Sequence, residues 1–337
     1  MVIILLIWFS LFFLGMKYNE HIESTAFTQR NTMALRGICS LEIMLGHIGI
    51  ATESIILFPN RKAGILFVGV FFALSGYGLI YNTKNKEDYL QTFLKRRFSK
   101  VLMPAYFVFL IGIVIKSAIA GDAGNLINVI NLKFFWEQTN WYVWELLGMY
   151  IIFYICAKID RSLLKSQYIF YAVSIAFICI AFYLKFPTPW YGSSLCCGLG
   201  IFYFIKEEAF KKFFRKHILL KTIVCSILLI FACFLFFMYK GLIGDLIARN
   251  CASVIFVVLT IVWLQKFCIG NAVSFWCGKY SYEIFLFHLL WINVLREWIV
   301  NNVLYTITVI GMTLFSSFIY RNFADFINKL LKDAVKK

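Results

Sequence analysis

The stretch Leu35 to Ile50, LRGICSLEIMLGHIGI, is apolar enough to cross a membrane yet carries Arg36, Glu42 and His47. Ionisable groups at that depth are costly and by default face a bundle interior or a wet cavity. Arg36 and His47 are eleven positions apart, about three helical turns, so both project from nearly one face, roughly 16 Å apart along the axis. The expectation is Arg36 near one membrane surface and His47 near mid-depth. Ser40, Ile43 and Ser54 share the His47 face, while Glu42, Gly46, Gly49 and Glu53 form a neighbouring stripe. That wall of small and polar residues suits close helix packing or a lined cavity. A histidine there can take a proton from a hydroxyl near neutral pH. A structural histidine bonded between helices fits it equally well.

Three further clusters carry chemistry. LKRRFSK, with Arg96, Arg97 and Lys100, is either a topology signal and lipid anchor or a grip for a polyphosphorylated ligand at a helix entrance. Ser75-Gly76-Tyr77 interrupts an apolar helix with small residues, which permits close approach of a neighbouring helix or of an extended ligand. In GKYSYEIFLFHLLW, His288 follows Ser281 by seven residues, about two turns, on the same face, with Tyr282 and Glu283 alongside. Its favoured reading is an inter-helix hydrogen bonder, with a second wet-cavity residue as the alternative. No G-x-S-x-G, HExxH, P-loop or glycine-rich nucleotide fingerprint is present. The ten cysteines are scattered with no metal-like spacing, so neither a metal site nor a disulfide framework is expected.

The elements that must position these residues follow from composition. The 337-residue chain is 61% hydrophobic and only 15% charged, with a mean hydropathy of +0.79. Apolar runs of about 17 to 22 residues between short charged loops mark a polytopic helical membrane protein. Spans are expected at 1–16, 35–57, 64–81, 101–120, 141–157, 167–186, 191–205, 218–239, 247–265, 280–295 and 303–320. The fold class is therefore all-α, a transmembrane bundle of about 11 helices, forming one domain over residues 1–337. The 1–16 run lacks a basic n-region and reads as an uncleaved helix. Lys17 to Ala34 reads as a polar connection, Pro59 to Lys62 as a turn, and Asn82 to Lys100 as a loop. Pro104 is expected in the first turn of its helix. The 191–205 segment is short and reads as broken or re-entrant.

The net charge of +16 raises nucleic acid as a partner, but basic residues collect in alternate loops: 84–100, 158–165, 206–216 and the tail after Tyr320. That is the positive-inside pattern. It excludes nucleic acid, places the N-terminus outside and the C-terminus in the cytoplasm, and leaves surplus charge for anionic lipid or a phosphorylated substrate.

Four of these pieces, in order, resemble the acyltransferase-3 family of bacterial membrane acyltransferases. They are Arg36-Gly37-Ile38 with His47 after ten intervening residues, FFALSGY at 71–77, FLKRRFSKVLMPAY at 93–106 and SYEIFLFH at 281–288. The family core would cover about 34–320. The resemblance implies an acyl-CoA donor, acetyl-CoA above all, used from the cytoplasm of a bacterial inner membrane. It implies as acceptor a hydroxyl of a surface polysaccharide or lipid-linked saccharide. Carried over, His47 is the catalytic histidine and Arg36 its motif partner. Arg96, Arg97 and Lys100 hold the CoA phosphates, and Ser75, Gly76 and Tyr77 line the acyl-CoA path. Glu42, Trp141, Glu145, Tyr150, Ser281, Tyr282 and His288 are candidate cavity-lining residues. His47 would act as general base or as covalent acyl carrier.

Three departures stand out. Lys100 replaces an arginine and loses bidentate phosphate contact. WYVWELLGMY keeps the Trp and Tyr of a family motif, but Leu146 and Leu147 replace its glutamates and Glu145 is one position off. The periplasmic hydrolase-like domain of some members is not in the sequence, so the chain is expected to act alone or with a separate partner. A multi-pass transporter or flippase for a glycan or lipid intermediate is the competing reading. It accounts for His47, His288 and Glu42 but not for the ordered motifs or the arginine cluster.

Overall fold

The computed structural model describes residues 14–18, 26–121, 123–184, 193–215, 217–238 and 242–335. Helix α1 spans Gln29–Thr52. The Thr28 hydroxyl caps it by accepting from the Asn31 N–H at 3.1 Å, and Glu53 ends it in the left-handed region at φ 51°. It therefore begins inside the stretch expected as a polar connection and stops short of Leu57. At 1.5 Å per residue α1 is about 36 Å long. Arg36 stands seven residues, about 10 Å, inside it, and His47 only five residues, about 8 Å, from its far end. Along this helix His47 thus sits nearer one end than the middle.

Helix α2 spans Phe58–Asn85 and takes Pro59 to Lys62 as its first turn, where proline's missing N–H costs nothing. Helix α3 spans Phe93–Ala120, so the basic run is helical and the expected loop over 82–100 shrinks to 86–92. Pro104 lies inside α3 rather than in its first turn, and the carbonyl of Lys100 loses its helical donor there. A 3-10 helix over Ala123–Ile130 and α4 over Leu132–Gln138 occupy the next connection.

Then come α5 (Trp141–Ile159), α6 (Ser166–Tyr183), α7 (Leu195–Ile205), α8 (Glu207–Arg215), α9 (Ile218–Met238) and α10 (Leu242–Leu264). They are followed by α11 (Ala272–Lys279), α12 (Ser281–Arg296) and α13 (Asn302–Val335), which outruns its expected end at 320. Two-residue strands at Lys17–Tyr18 and Phe267–Cys268 pair antiparallel, a small addition to an otherwise helical fold. Among the described residues eight helices are long and apolar enough to span a membrane; α7 and α12 are shorter. The expected helix over 1–16 lies outside the described residues, except that Leu14 and Gly15 form a turn.

Burial ranks the helices. In α1 78% of the apolar window is buried, against 6% in α9, whose side chains face outward as lipid-facing helices do. The central helix α1 packs on α2, α11 and α12, and α2 packs on α7 and α10. Glycines make two of these crossings backbone-tight. A Cβ on Gly37 would strike the Ser274 carbonyl of α11, and one on Gly278 would strike the Met33 carbonyl of α1. Gly76 of α2 and Gly200 of α7 meet in the same reciprocal way, against the Cys197 and Ala73 carbonyls. The N-terminal end of α1 is pinned to the segment before α11. Arg30 donates to the Ile269 and Gly270 carbonyls at 3.4 and 3.3 Å, and the Ile269 N–H donates to Asn31 Oδ1 at 3.1 Å.

Candidate active site

The far half of α1 brings His47 against His288 of α12. His288 Nε2 and His47 Nδ1 are 3.0 Å apart, with ring centroids 5.0 Å apart and planes inclined by 33°. His288 is completely buried and its Nδ1 lies 3.1 Å from the Ile284 carbonyl one turn back. His47 is half-buried, so one side of its ring remains accessible. The favoured reading of His288 as an inter-helix hydrogen bonder thus acquires a specific partner.

Toward the other end of α1, Arg36 is exposed to water although Tyr142 and Tyr150 of α5 and Arg97 of α3 surround it. The Arg36 side chain thus meets a water-accessible space bordered by these residues. Ser75 of α2 hydrogen-bonds Tyr150 at that space, and Tyr282 of α12 stands beside Tyr142 and Tyr150. The Tyr282 hydroxyl donates to the Val101 carbonyl of α3 at 2.7 Å, which joins α12 to the basic helix. An aromatic path links the two ends of α1. Tyr142 packs on Phe285 at 4.7 Å, and Phe285 meets the His288 ring edge-to-face at 5.6 Å.

Cations gather where α3 begins. The Arg97 guanidinium donates to the Tyr89 hydroxyl and lies over the rings of Tyr150, Phe93 and Tyr89 at 5.2, 5.8 and 5.8 Å. Arg96 is exposed and donates to the Tyr89 carbonyl at 2.9 Å. Lys100 is exposed and neighbours Arg97, Arg321, Arg96 and Lys86. Lys86 is brought there by Arg161, whose Nη2 donates to the Lys86 and Glu87 carbonyls at 3.0 and 2.8 Å, closing the end of α2. In the adjoining turn the Ser162 hydroxyl and the Lys165 backbone N–H hold the Asp160 carboxyl down at about 2. Among the described residues only Arg321 of this cluster bonds a buried carboxylate, Glu283, at 3.2 Å. The remaining cations form a concentrated positive patch beside the Arg36 space, and such a patch can hold phosphate groups.

Gly76 serves the α2–α7 crossing, and Tyr77 packs among Phe27, Tyr203 and Phe204, so of the 75–77 trio only Ser75 reaches Tyr150. Glu42 is buried and accepts from Asn60 Nδ2 at 2.6 Å, on the α2 side of α1. Glu145 is 1% exposed, with Ser194 at the start of α7 beside it and no well-formed hydrogen bond to either oxygen. Trp141 is half-buried in the first turn of α5, edge-on to Tyr142 at 6.2 Å. Ser281 is buried at the first residue of α12. A separate cleft of about 220 Å³ opens between α3, α4 and α12, lined by Phe109, Lys116, Gln138 and Asn293 among others. It lies on the face of α12 opposite His288.

Sequence reasoning missed Tyr89, Tyr142, Phe285 and Arg321. Tyr142 carried a usable signal, since it sits next to the motif residue Trp141; the others come together only through packing.

Comparison with known proteins matches residues 33–321 to the acyltransferase-3 family model, described as an acyltransferase domain. No curated protein and no solved structure matches the chain. The match takes in Arg36, His47, the basic helix and His288, nearly the whole helical bundle. The chain belongs to the acyltransferase-3 family and is a multi-pass membrane acyltransferase that transfers groups other than amino-acyl groups.

Proposed function

We propose that the protein transfers an acyl group, acetyl in the first instance, from cytoplasmic acyl-CoA to a hydroxyl of a cell-surface glycan or lipid-linked saccharide. The observation that carries this reading is the water-reachable space around Arg36. It meets the cation patch on one side, and the packed rings of Tyr142 and Phe285 connect its border to the histidine pair on the other. The phosphates of CoA bind Arg96, Arg97 and Lys100, with Lys86 and Arg321 adding to the field. Arg97 is the anchor, because its aromatic surroundings hold the planar guanidinium ready for bidentate contact. The pantetheine arm passes Arg36, Ser75 and Tyr150 and brings the thioester toward His47. His47 takes the acceptor hydroxyl proton as the oxygen attacks the thioester carbonyl carbon. The C–S bond then breaks and the CoA sulfur leaves as thiolate.

The basic loops support a bacterial cytoplasmic membrane location with the N-terminus outside and the C-terminus in the cytoplasm. Incubating the purified protein with labelled acetyl-CoA and isolated envelope glycan tests the proposal. CoA release with label on the glycan is expected. Absence of turnover with any short acyl-CoA, under conditions in which the protein remains folded, would overturn it. Mass spectrometry of surface glycans with and without the gene identifies the acceptor.

A further inference from the structure

His288 makes a 3.0 Å polar contact to His47, yet the reaction as proposed gives it no task. We infer that His288 is a positioning residue, which holds His47 in the tautomer whose Nε2 is the bare base and which accepts the hydrogen bond of the imidazolium formed during turnover. The inference rests on the assignment of His47 as general base made above.

The geometry assigns the protons. A backbone carbonyl can only accept, so the 3.1 Å contact to Ile284 requires a proton on His288 Nδ1. A doubly protonated His288 would be a fully buried cation with no carboxylate among the described residues bonded to it. The acids closest to the pair in sequence on these two helices are occupied, Glu42 by Asn60 and Glu283 by Arg321. His288 is therefore neutral and its Nε2 carries a lone pair. The 3.0 Å contact is then a hydrogen bond donated by His47 Nδ1, which leaves His47 Nε2 unprotonated. The Ile43 carbonyl, one turn before His47, lies close to this ring.

The chemical logic is that of an orienting group behind a catalytic imidazole, with a neutral histidine in place of the carboxylate found in Ser-His-Asp triads. A carboxylate at this depth would add a permanent charge within the membrane, whereas an imidazole adds none. In the step itself the acceptor O–H proton moves to His47 Nε2 as the oxygen bonds the thioester carbon. The C–S bond breaks, and the imidazolium returns that proton to the departing thiolate, giving CoA thiol. His288 accepts one hydrogen bond throughout, and no net proton is gained or lost.

The test compares His288→Ala, His288→Gln and His288→Asn with His47→Ala in acyl transfer from acetyl-CoA. His288→Ala is expected to lower kcat on the order of 10²-fold while KM for acetyl-CoA stays within about twofold. The better of the two amide variants recovers about tenfold of the loss, since a side-chain carbonyl can also accept from His47 Nδ1. Wild-type kcat in His288→Ala, or amide variants no better than alanine, would overturn the inference. If the variants do not fold, nitrogen NMR of the histidine-labelled wild type still decides, with only four histidines to assign. The expected spectrum has His47 protonated at Nδ1 and bare at Nε2, and the opposite tautomer refutes the assignment. Retained turnover in His47→Ala would instead sink the general-base reading, so the two failures are distinguishable.

Discussion

The two ends of the polar face of α1 differ in kind. Around Arg36 the neighbours are cations and phenols, and water reaches the side chain. Around His47 the partners are a second imidazole and backbone carbonyls, and His288 is fully buried. A charged, wet end suits a polyanionic ligand, whose phosphates gain from clustered guanidinium and ammonium groups. A neutral, drier end suits proton transfer, because hydrogen bonds act more strongly where little water competes. In the proposed reading, binding and chemistry are divided along one helix, and the variants below separate them.

The largest effect is expected at the neutral end. His47→Ala should lower kcat by about 10³-fold, within the range that positioned general bases supply, with little change in acyl-CoA affinity. Steady-state kinetics with a parallel binding measurement checks this. Next comes the charged end, where Arg97→Glu should weaken acyl-CoA binding by about 100-fold, as expected for removal and reversal of a charge-assisted contact. Arg97→Lys should sit between it and wild type, because a lysine keeps the charge but not the planar fork; calorimetry in detergent reads both.

A third variant probes neither end. Gly76→Ala forces a methyl into the Cys197 carbonyl, so a stability loss of about 1–3 kcal/mol is expected from overpacking. Thermal unfolding should fall while KM of the folded fraction stays near wild type. A large KM change without destabilisation would place Gly76 on the acyl-CoA path. The smallest effect is expected from Glu42→Gln, since the new amide oxygen still accepts from Asn60. Less than about 1 kcal/mol of stability and no change in kcat should result; a dead enzyme would show that Glu42 belongs to the site.

Much of this division could be read from the chain itself. Arg36 and His47 announce themselves as costly residues three turns apart, and the basic run beside Pro104 shows itself only by its charge density. What stayed hidden depends on packing between distant segments. The His47–His288 contact joins positions 241 residues apart, and no periodicity within either helix predicts which nitrogen meets which. Ser75 and Gly76 are adjacent and equally small, yet one faces Tyr150 and the other a helix backbone, a distinction that depends on where α7 lies. The charge of the 93–100 run favoured a loop. In the fold it is the first turns of α3, with Arg97 held by aromatic rings and Lys100 facing out. Arg321 and Lys86 join the patch from opposite ends of the sequence, brought in by the Glu283 ion pair and by Arg161.

The most direct test of the division is to measure kcat and KM for acetyl-CoA in His47→Ala and Arg97→Glu side by side. The account predicts opposite signatures: His47→Ala loses kcat and keeps KM, while Arg97→Glu raises KM and keeps most of kcat. Normal turnover in folded His47→Ala, or unchanged KM in Arg97→Glu, would contradict it.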